Sequence, residues 1–348
     1  KLIAMTVNFR FREIDSLRGL AVLLMVMVYA AATWNPFQST QTSILAYLTA
    51  GLGGLAAPLF VTIFGWGIIR SKSSTRDNLI KASILILLQL VVNLCSPHLY
   101  DLFTPGILSL FALLILVKPL ILLVSSKRSR MIFFGVFIVS IYLVNNFIIN
   151  IQGGNDWSAR ITADSLSTVL SQMLVSGTYP LFPWICYAVV GAFLGRSLKE
   201  GGKTLPRNST TFLLTLIGIC YCLITMIMSN ADGTVWAHPT KGHHLTFFPA
   251  NTGFIIASLT GVFIFWLLFQ EFNILIFESS GKLSLTIYVI HFIPLTILSN
   301  LENERDWTVM EASQAVVLFT TTWLLFAYVW NKLQWLTIEG LIRKLTSR

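Results

Sequence analysis

An all-α polytopic transmembrane helical bundle of about ten spans, forming one domain over 1–348 with both termini cytoplasmic, is what these residues predict. Three observations carry that expectation. The composition is 55% hydrophobic and only 11% charged, too few charges to cover the surface of a water-soluble chain of 348 residues. Apolar segments recur about every thirty residues, each near the ~20 needed for a helix to cross the hydrocarbon. The basic residues also fall almost entirely on alternate connections.

Spans are expected at 18–35, 45–69, 79–96, 104–124, 131–150, 177–197, 210–229, 249–270, 281–299 and 314–334. Stretches such as 83–94 and 133–143 are apolar on all sides, which fits helices and not the alternating strands of a barrel. Of the 24 Lys and Arg, all but Arg160, Lys241 and Arg305 lie in the N-terminus, the C-terminus or connections after even-numbered spans, the pattern of a cytoplasmic face. The net charge of +9 therefore reports topology and predicts no nucleic-acid partner. Lys1–Phe11 lacks the apolar core of a signal peptide, so the first span is expected to be retained. Cys95, Cys186, Cys220 and Cys222 lie in or beside apolar segments without metal-ligand spacing, and no metal is expected.

The opposite face gathers the unusual polar residues: His98 and Asp101, a loop with Asp156, Trp157, Arg160 and Asp164, and another from Asp232 to Pro249 with Trp236, His238, Lys241, His243 and His244. Exposed loops are polar in any case, but binding or chemistry on that face would leave the same pattern.

Arg12-Glu13-Ile14-Asp15-Ser16-Leu17-Arg18-Gly19-Leu20-Ala21 places charge immediately before the first apolar helix. Asp15 and Arg18, three apart, share a face and can pair. Arg12 and Arg18 serve either as positive anchors at the membrane edge or as guanidinium forks for a phosphorylated ligand. This segment resembles the opening Arg-x-x-x-(Ile/Leu)-Asp-x-x-Arg-Gly-(Leu/Ile)-Ala motif of the transmembrane acyltransferase superfamily, which includes heparan-α-glucosaminide N-acetyltransferase-like and bacterial sugar O-acyltransferase-like membrane proteins. Further pieces follow in order. Pro58-Leu59-Phe60-Val61-Thr62-Ile63-Phe64-Gly65 is similar to a second-span pattern, and Thr104-Pro105-Gly106-Ile107-Leu108 to the turn entering the fourth. Tyr179-Pro180-Leu181-Phe182-Pro183-Trp184 with Gly191 through Arg196 resembles a middle segment, and Gly281-Lys282-Leu283-Ser284-Leu285-Thr286-Ile287-Tyr288-Val289-Ile290-His291 a late one.

The resemblance implies that acetyl-CoA or another acyl-CoA binds from the cytoplasm and that its acyl group passes through the bundle to an extracytoplasmic carbohydrate or related acceptor. Such a protein needs a cationic mouth, a passage and a base. Arg12, Arg18 and Lys282, with Asp15 as partner, are the cofactor-binding expectation; Lys72, Arg76, Lys127 and Arg128 are further candidates for the mouth. Gly51, Gly53, Gly54, Gly65 and Gly67 on the second span either let helices approach or leave room for the passage.

The relatives carry a histidine in the first span or in the connection to the second, and none stands between Val28 and Pro58 here; Ser109-Leu110 likewise replaces their Gln-Arg. The base is therefore expected to be His98, oriented by Asp101, or His291, which falls near the bilayer centre. Tyr179, Trp184 and His244 are expected at the acceptor site, where aromatic rings stack on sugars, although Trp and Tyr near a membrane boundary also act as anchors. Three alternatives stay open: a multi-pass acyltransferase, in the plasma (cytoplasmic) membrane if the source is prokaryotic, a transporter of a small metabolite or lipid-linked sugar, and an inactive relative that binds a partner. Surrounding lipid is a certain contact and a homodimer is compatible with the sequence.

Overall fold

A computed structural model describes residues 11–34, 44–125, 157–198, 203–238, 244–301, 307–333 and 336–346, with 44–50 as backbone only. Its elements are helical apart from one short pair of strands, as an apolar chain that must satisfy its own backbone requires.

The first helix, α1 (Arg12–Trp34), carries Glu13 and Asp15 in its first turn, where acidic groups complement the helix dipole. α2 (Ile44–Arg70) contains Pro58, and the Thr62 hydroxyl donates to the Pro58 carbonyl at 2.7 Å. α3 (Thr75–Cys95) starts on a reciprocal capping box in which the Ser74 hydroxyl accepts from the Asp77 amide and the Asp77 carboxylate from the Ser74 amide. α4 (Ile107–Leu116) and α5 (Lys118–Val124) meet at a 69° bend. The short α6 (Ser158–Ile161) and α7 (Leu166–Ser171), the latter extended by a π turn over Gln172–Ser176, lead into α8 (Leu181–Ser197) through a 47° bend.

Next comes α9 (Ser209–Ala231), capped by Asn208, whose side-chain oxygen accepts from the Thr211 amide. β1 (Ala237–His238) and β2 (Leu245–Thr246) pair in parallel before α10 (Thr252–Phe272), which Asn251 caps in the same way. α11 (Glu278–Lys282), α12 (Ser284–Ile290) and α13 (Phe292–Ile297) follow as consecutive short helices. The break after Ile290 precedes Pro294, which has no N–H to return to the Ile290 carbonyl. α14 (Val309–Leu333) and α15 (Ile338–Thr346) complete the described chain.

Six of these helices are long and apolar enough to cross a membrane, or eight if each bent pair counts as one span. The expected spans at 104–124, 177–197 and 281–299 are not single straight helices, because Pro119, Pro180 with Pro183, and Pro294 interrupt them. The expected span at 131–150 lies outside the described residues.

α1 is the central helix, with 67% of its apolar window buried, whereas α9 has 17% of its window buried and presents Leu216, Ile217, Leu223 and Ile224 outward. α2 and α8 run in backbone contact: a Cβ on Gly65 would strike the Ala188 carbonyl, and one on Gly191 the Thr62 carbonyl. α1 and α11 touch in the same manner through Gly19 and Gly281. Among the described residues the lysines and arginines, Arg160 apart, gather at one end. There the Lys118 ammonium donates to the Ser71 carbonyl, Arg196 to the Leu122 carbonyl, and Lys203 and Arg207 pair with Glu271.

Candidate functional site

At the basic end a cavity of about 750 Å³ opens between α1, α2, α3, α4, α12 and α15. Arg18, Lys81, Lys118, Lys282 and Arg343 line it, with Glu339, Asn78 and Asn331 among the other polar groups. The ring of Phe64 stacks on that of Phe111 at 4.3 Å, and Phe60 meets Phe111 edge-on, giving the inner wall an aromatic surface.

The expected pairing of Arg18 with Asp15 is present at 3.2 Å, with the Asp15 side chain buried. Because Gly281 packs on the Asp15 carbonyl, the opening and late motifs of the sequence form one contact, which places Arg18 beside Lys282 on the rim. Lys282 binds Glu278 at 2.6 Å and Arg12 binds its other oxygen at 2.8 Å. Partial burial pushes the Glu278 carboxyl up, but hydrogen bonds from Lys282 and Arg12 outweigh it and hold the group below the usual carboxylate range. Arg12 is 63% exposed and does not line the cavity; its fork is turned to Glu278. Lys72 and Arg76 are not among the lining residues, and Lys127 and Arg128 lie outside the described residues.

Lys81, Lys118 and Arg343 were not singled out by the sequence as ligand groups. Arg343 arrives on α15, whose Glu339 carboxylate accepts from the amides of Leu285 and Thr286 and from the Thr286 hydroxyl, capping the first turn of α12. The legible signal was the spacing of Ile338, Leu341, Ile342 and Leu345, an apolar face on a short charged helix.

Inside the bundle, His291 is fully buried at the junction of α12 and α13. Its Nδ1 lies 3.1 Å from the Ile287 carbonyl. A carbonyl can only accept, so Nδ1 carries the proton and Nε2 presents a bare lone pair, which has no partner among the described residues. Tyr29 and Tyr288 flank the imidazole with ring centroids 5.7 and 5.8 Å away, and their hydroxyls meet at 3.3 Å. Tyr288 stands three residues before His291 in the late segment already quoted, whereas nothing in the first span marks Tyr29 as facing that histidine.

His98 lies at the opposite end, joined to α1 and α13: its Nε2 is 3.1 Å from the Thr33 hydroxyl and its Nδ1 3.4 Å from that of Thr296. Asp101 does not orient it, because the threonine hydroxyls occupy both ring nitrogens. Partial burial holds the His98 imidazole below its ordinary value.

A second cavity, of about 540 Å³, lies at this end between α1, α2, α9, α10 and the strand loop. Tyr179 lines it, as do Tyr29, Trp236, His238, Phe247, Phe248 and Phe254. Trp184 does not. It is fully buried against Tyr179, Tyr187 and Phe247, so its role is packing and not an accessible sugar platform. His244 stands outside the lining, 3.9 Å from the Asp232 carboxylate. Of the glycines on α2, Gly65 serves close packing, while Gly67 opens onto the basic cavity and Gly51 and Gly54 onto the second. Among the described residues no group of three His, Cys, Asp or Glu side chains gathers as metal ligands would.

Membrane-length apolar helices packed around an ionisable core define an integral membrane protein. Residues 10–229, more than half of the chain, match the family described as heparan-alpha-glucosaminide N-acetyltransferase, catalytic. The chain belongs to that family, a class of membrane acetyltransferases. No curated protein matches the sequence as an individual relative.

Proposed function

We propose that the protein transfers an acyl group, acetyl in the first instance, from cytoplasmic acyl-CoA bound in the basic cavity to an acceptor bound in the cavity at the opposite end. The observation that carries this reading is the meeting of the opening and late motifs at Gly19 and Gly281, which sets Arg18 and Lys282 on the rim of one cavity with three further cations. Guanidinium and ammonium groups there suit the phosphates of CoA, and the Phe60, Phe64 and Phe111 wall suits the apolar part of its arm.

The thioester end points inward. Leu283 to Leu285 line the basic cavity and His291 stands roughly 10 Å further along α12, at 1.5 Å per residue. Arg18 and Tyr29 are separated by roughly 17 Å along α1 on the same count, which sets the depth the arm has to cross. His291 Nε2 takes the proton of the acceptor hydroxyl or amine as that atom attacks the thioester carbonyl. The carbon–sulfur bond breaks, a carbon–oxygen or carbon–nitrogen bond forms, and the proton ends on the CoA thiol. Of the Tyr29 and Tyr288 hydroxyls one donates to the other, and the second keeps its O–H for the developing oxyanion. His98, tied to Thr33 and Thr296 at the end of the bundle, is assigned to acceptor entry and not to proton transfer.

Calorimetric titration of acetyl-CoA into the purified protein tests the donor half. Binding that weakens in Arg18→Ala supports the reading, and absence of any CoA binding to the wild type sinks it. Transfer assays on His98→Ala and His291→Ala then separate the two candidate bases.

A further inference from the structure

The second cavity has the wrong chemistry for a free sugar. Among its described lining residues there is no Asp, Glu, Asn, Gln, Lys or Arg, the side chains that satisfy a ring of hydroxyls. The polar groups it does have are mostly bonded inward. The Tyr29 hydroxyl meets that of Tyr288, Ser258 donates to the Phe254 carbonyl at 2.6 Å and lies 2.7 Å from the Tyr187 hydroxyl, and the Trp236 indole donates to Thr225. A polyol placed there would leave most of its hydroxyls without partners and out of water, which is strongly unfavourable.

We propose that the acceptor is a membrane amphiphile whose apolar body fills this cavity while its hydroxyl or amine reaches the Tyr29 hydroxyl. The inference rests on the acyl-transfer reading above and names its acceptor class. The aromatic rings of Phe247, Phe248 and Phe254 form one wall, and the absence of side chains at Gly51 and Gly54 makes room along α2. The cavity also lies close to the outer surface of the bundle. Cys222 lines the cavity while its neighbours Leu223 and Ile224 are 50% and 57% exposed on the outer face of α9, so a single helix separates the cavity from hydrocarbon. Gly51 and Ala32, at the rim, are exposed themselves. The acceptor takes the acyl group as an ester or amide, its proton passes to the departing thiol of CoA, and its apolar body never enters water.

The test uses the full chain in nanodiscs and a decyl glucosaminide carrying a diazirine at the chain terminus, crosslinked by light and mapped by mass spectrometry. Label is expected within 25–32, 51–57 and 245–261, displaced by unlabelled decyl glucosaminide at a concentration more than about tenfold below that of free glucosamine. Gly51→Trp and Ala257→Phe, which fill the cavity from opposite walls, should each lower the specific label by about tenfold while acetyl-CoA still binds the basic cavity. Label spread without competition over the lipid-facing side chains of α9 and α14 overturns the site. Displacement by glucosamine as effective as by its decyl glycoside overturns the amphiphile class. Displacement by decanoyl-CoA stronger than by decyl glucosaminide overturns the acceptor assignment, because the cavity would then hold the donor's chain. If crosslinking behaves as expected but acetyl-CoA neither binds nor is consumed, the acyl-transfer reading fails and the acceptor role falls with it, leaving an amphiphile-binding site.

Discussion

The two cavities differ in almost every chemical respect although α1 and α2 line both. The basic one has Arg18, Lys81, Lys118, Lys282 and Arg343 on its walls; the other has no Asp, Glu, Lys or Arg among its described lining residues. A phosphorylated, water-soluble molecule is stabilised by the first and excluded from the second, and an apolar body the reverse. Tyr29 lines the second cavity, and its ring and hydroxyl meet the buried Tyr288 and His291; on the acyl-transfer reading proposed above, these three form the layer across which donor and acceptor react. On that reading, selectivity comes from what each cavity leaves out as much as from what it binds.

The sharpest break of that division is at the layer itself. His291→Gln keeps the approximate volume but not the basicity, and transfer should fall by about 10²–10⁴-fold while acetyl-CoA affinity is unchanged; unchanged turnover would remove His291 from the chemistry. A smaller effect is expected at the basic cavity alone. Arg18→Ala should weaken acetyl-CoA by about 1.5–3 kcal/mol, with steeper loss at low salt than at high, and leave amphiphile crosslinking intact. Arg343→Ala, at a cation that the sequence did not single out, should weaken CoA by about 1 kcal/mol in the same titration.

Packing provides a third comparison. Gly281→Ala drives a methyl group into the Asp15 carbonyl, and a melting curve in detergent should show a loss of about 1–3 kcal/mol together with weaker CoA binding, since the same contact holds the cavity rim. Arg12→Ala, which removes a largely exposed partner of Glu278, should cost less than about 1 kcal/mol. The smallest effect is pH dependence at His98. Its folded-state pKa is lowered by burial, so as pH falls below about 6.5 the unfolded chain binds the proton first and stability declines. His98→Gln should flatten that decline between pH 7 and 5 without changing stability at pH 8; an unaltered slope would place the titration elsewhere.

Much of the site was legible from short-range pattern. Asp15 and Arg18 pair because residues three apart share a helix face, and of the second-span glycines read as points of approach or as passage, Gly65 packs on the Ala188 backbone. The expectation failed where a side chain's direction decides its role. Trp184 and Tyr179 look alike as boundary aromatics, yet the bend into α8 turns the tryptophan into the core and leaves the tyrosine on the cavity wall. Asp101 stands three residues from His98, but the turn after α3 is not a continuing helix, so the i,i+3 rule does not apply and Thr33 and Thr296 take the imidazole instead.

By itself the sequence determined the solvent in which the protein folds, the one-sided distribution of its charge and the family to which it belongs. Each is a sum over many residues or a local motif, and neither kind of signal depends on which helices become neighbours. Only the tertiary structure decided that Arg343 joins Arg18, that His291 keeps a nitrogen unpartnered among the described residues beside Tyr29 and Tyr288, and that the described lining of the far cavity is largely apolar. Apart from the approach of Tyr288 to His291, three residues on, those are contacts between residues far apart in the chain, set by the backbone approach of glycine pairs and the bends at prolines, and no spacing along the chain encodes them.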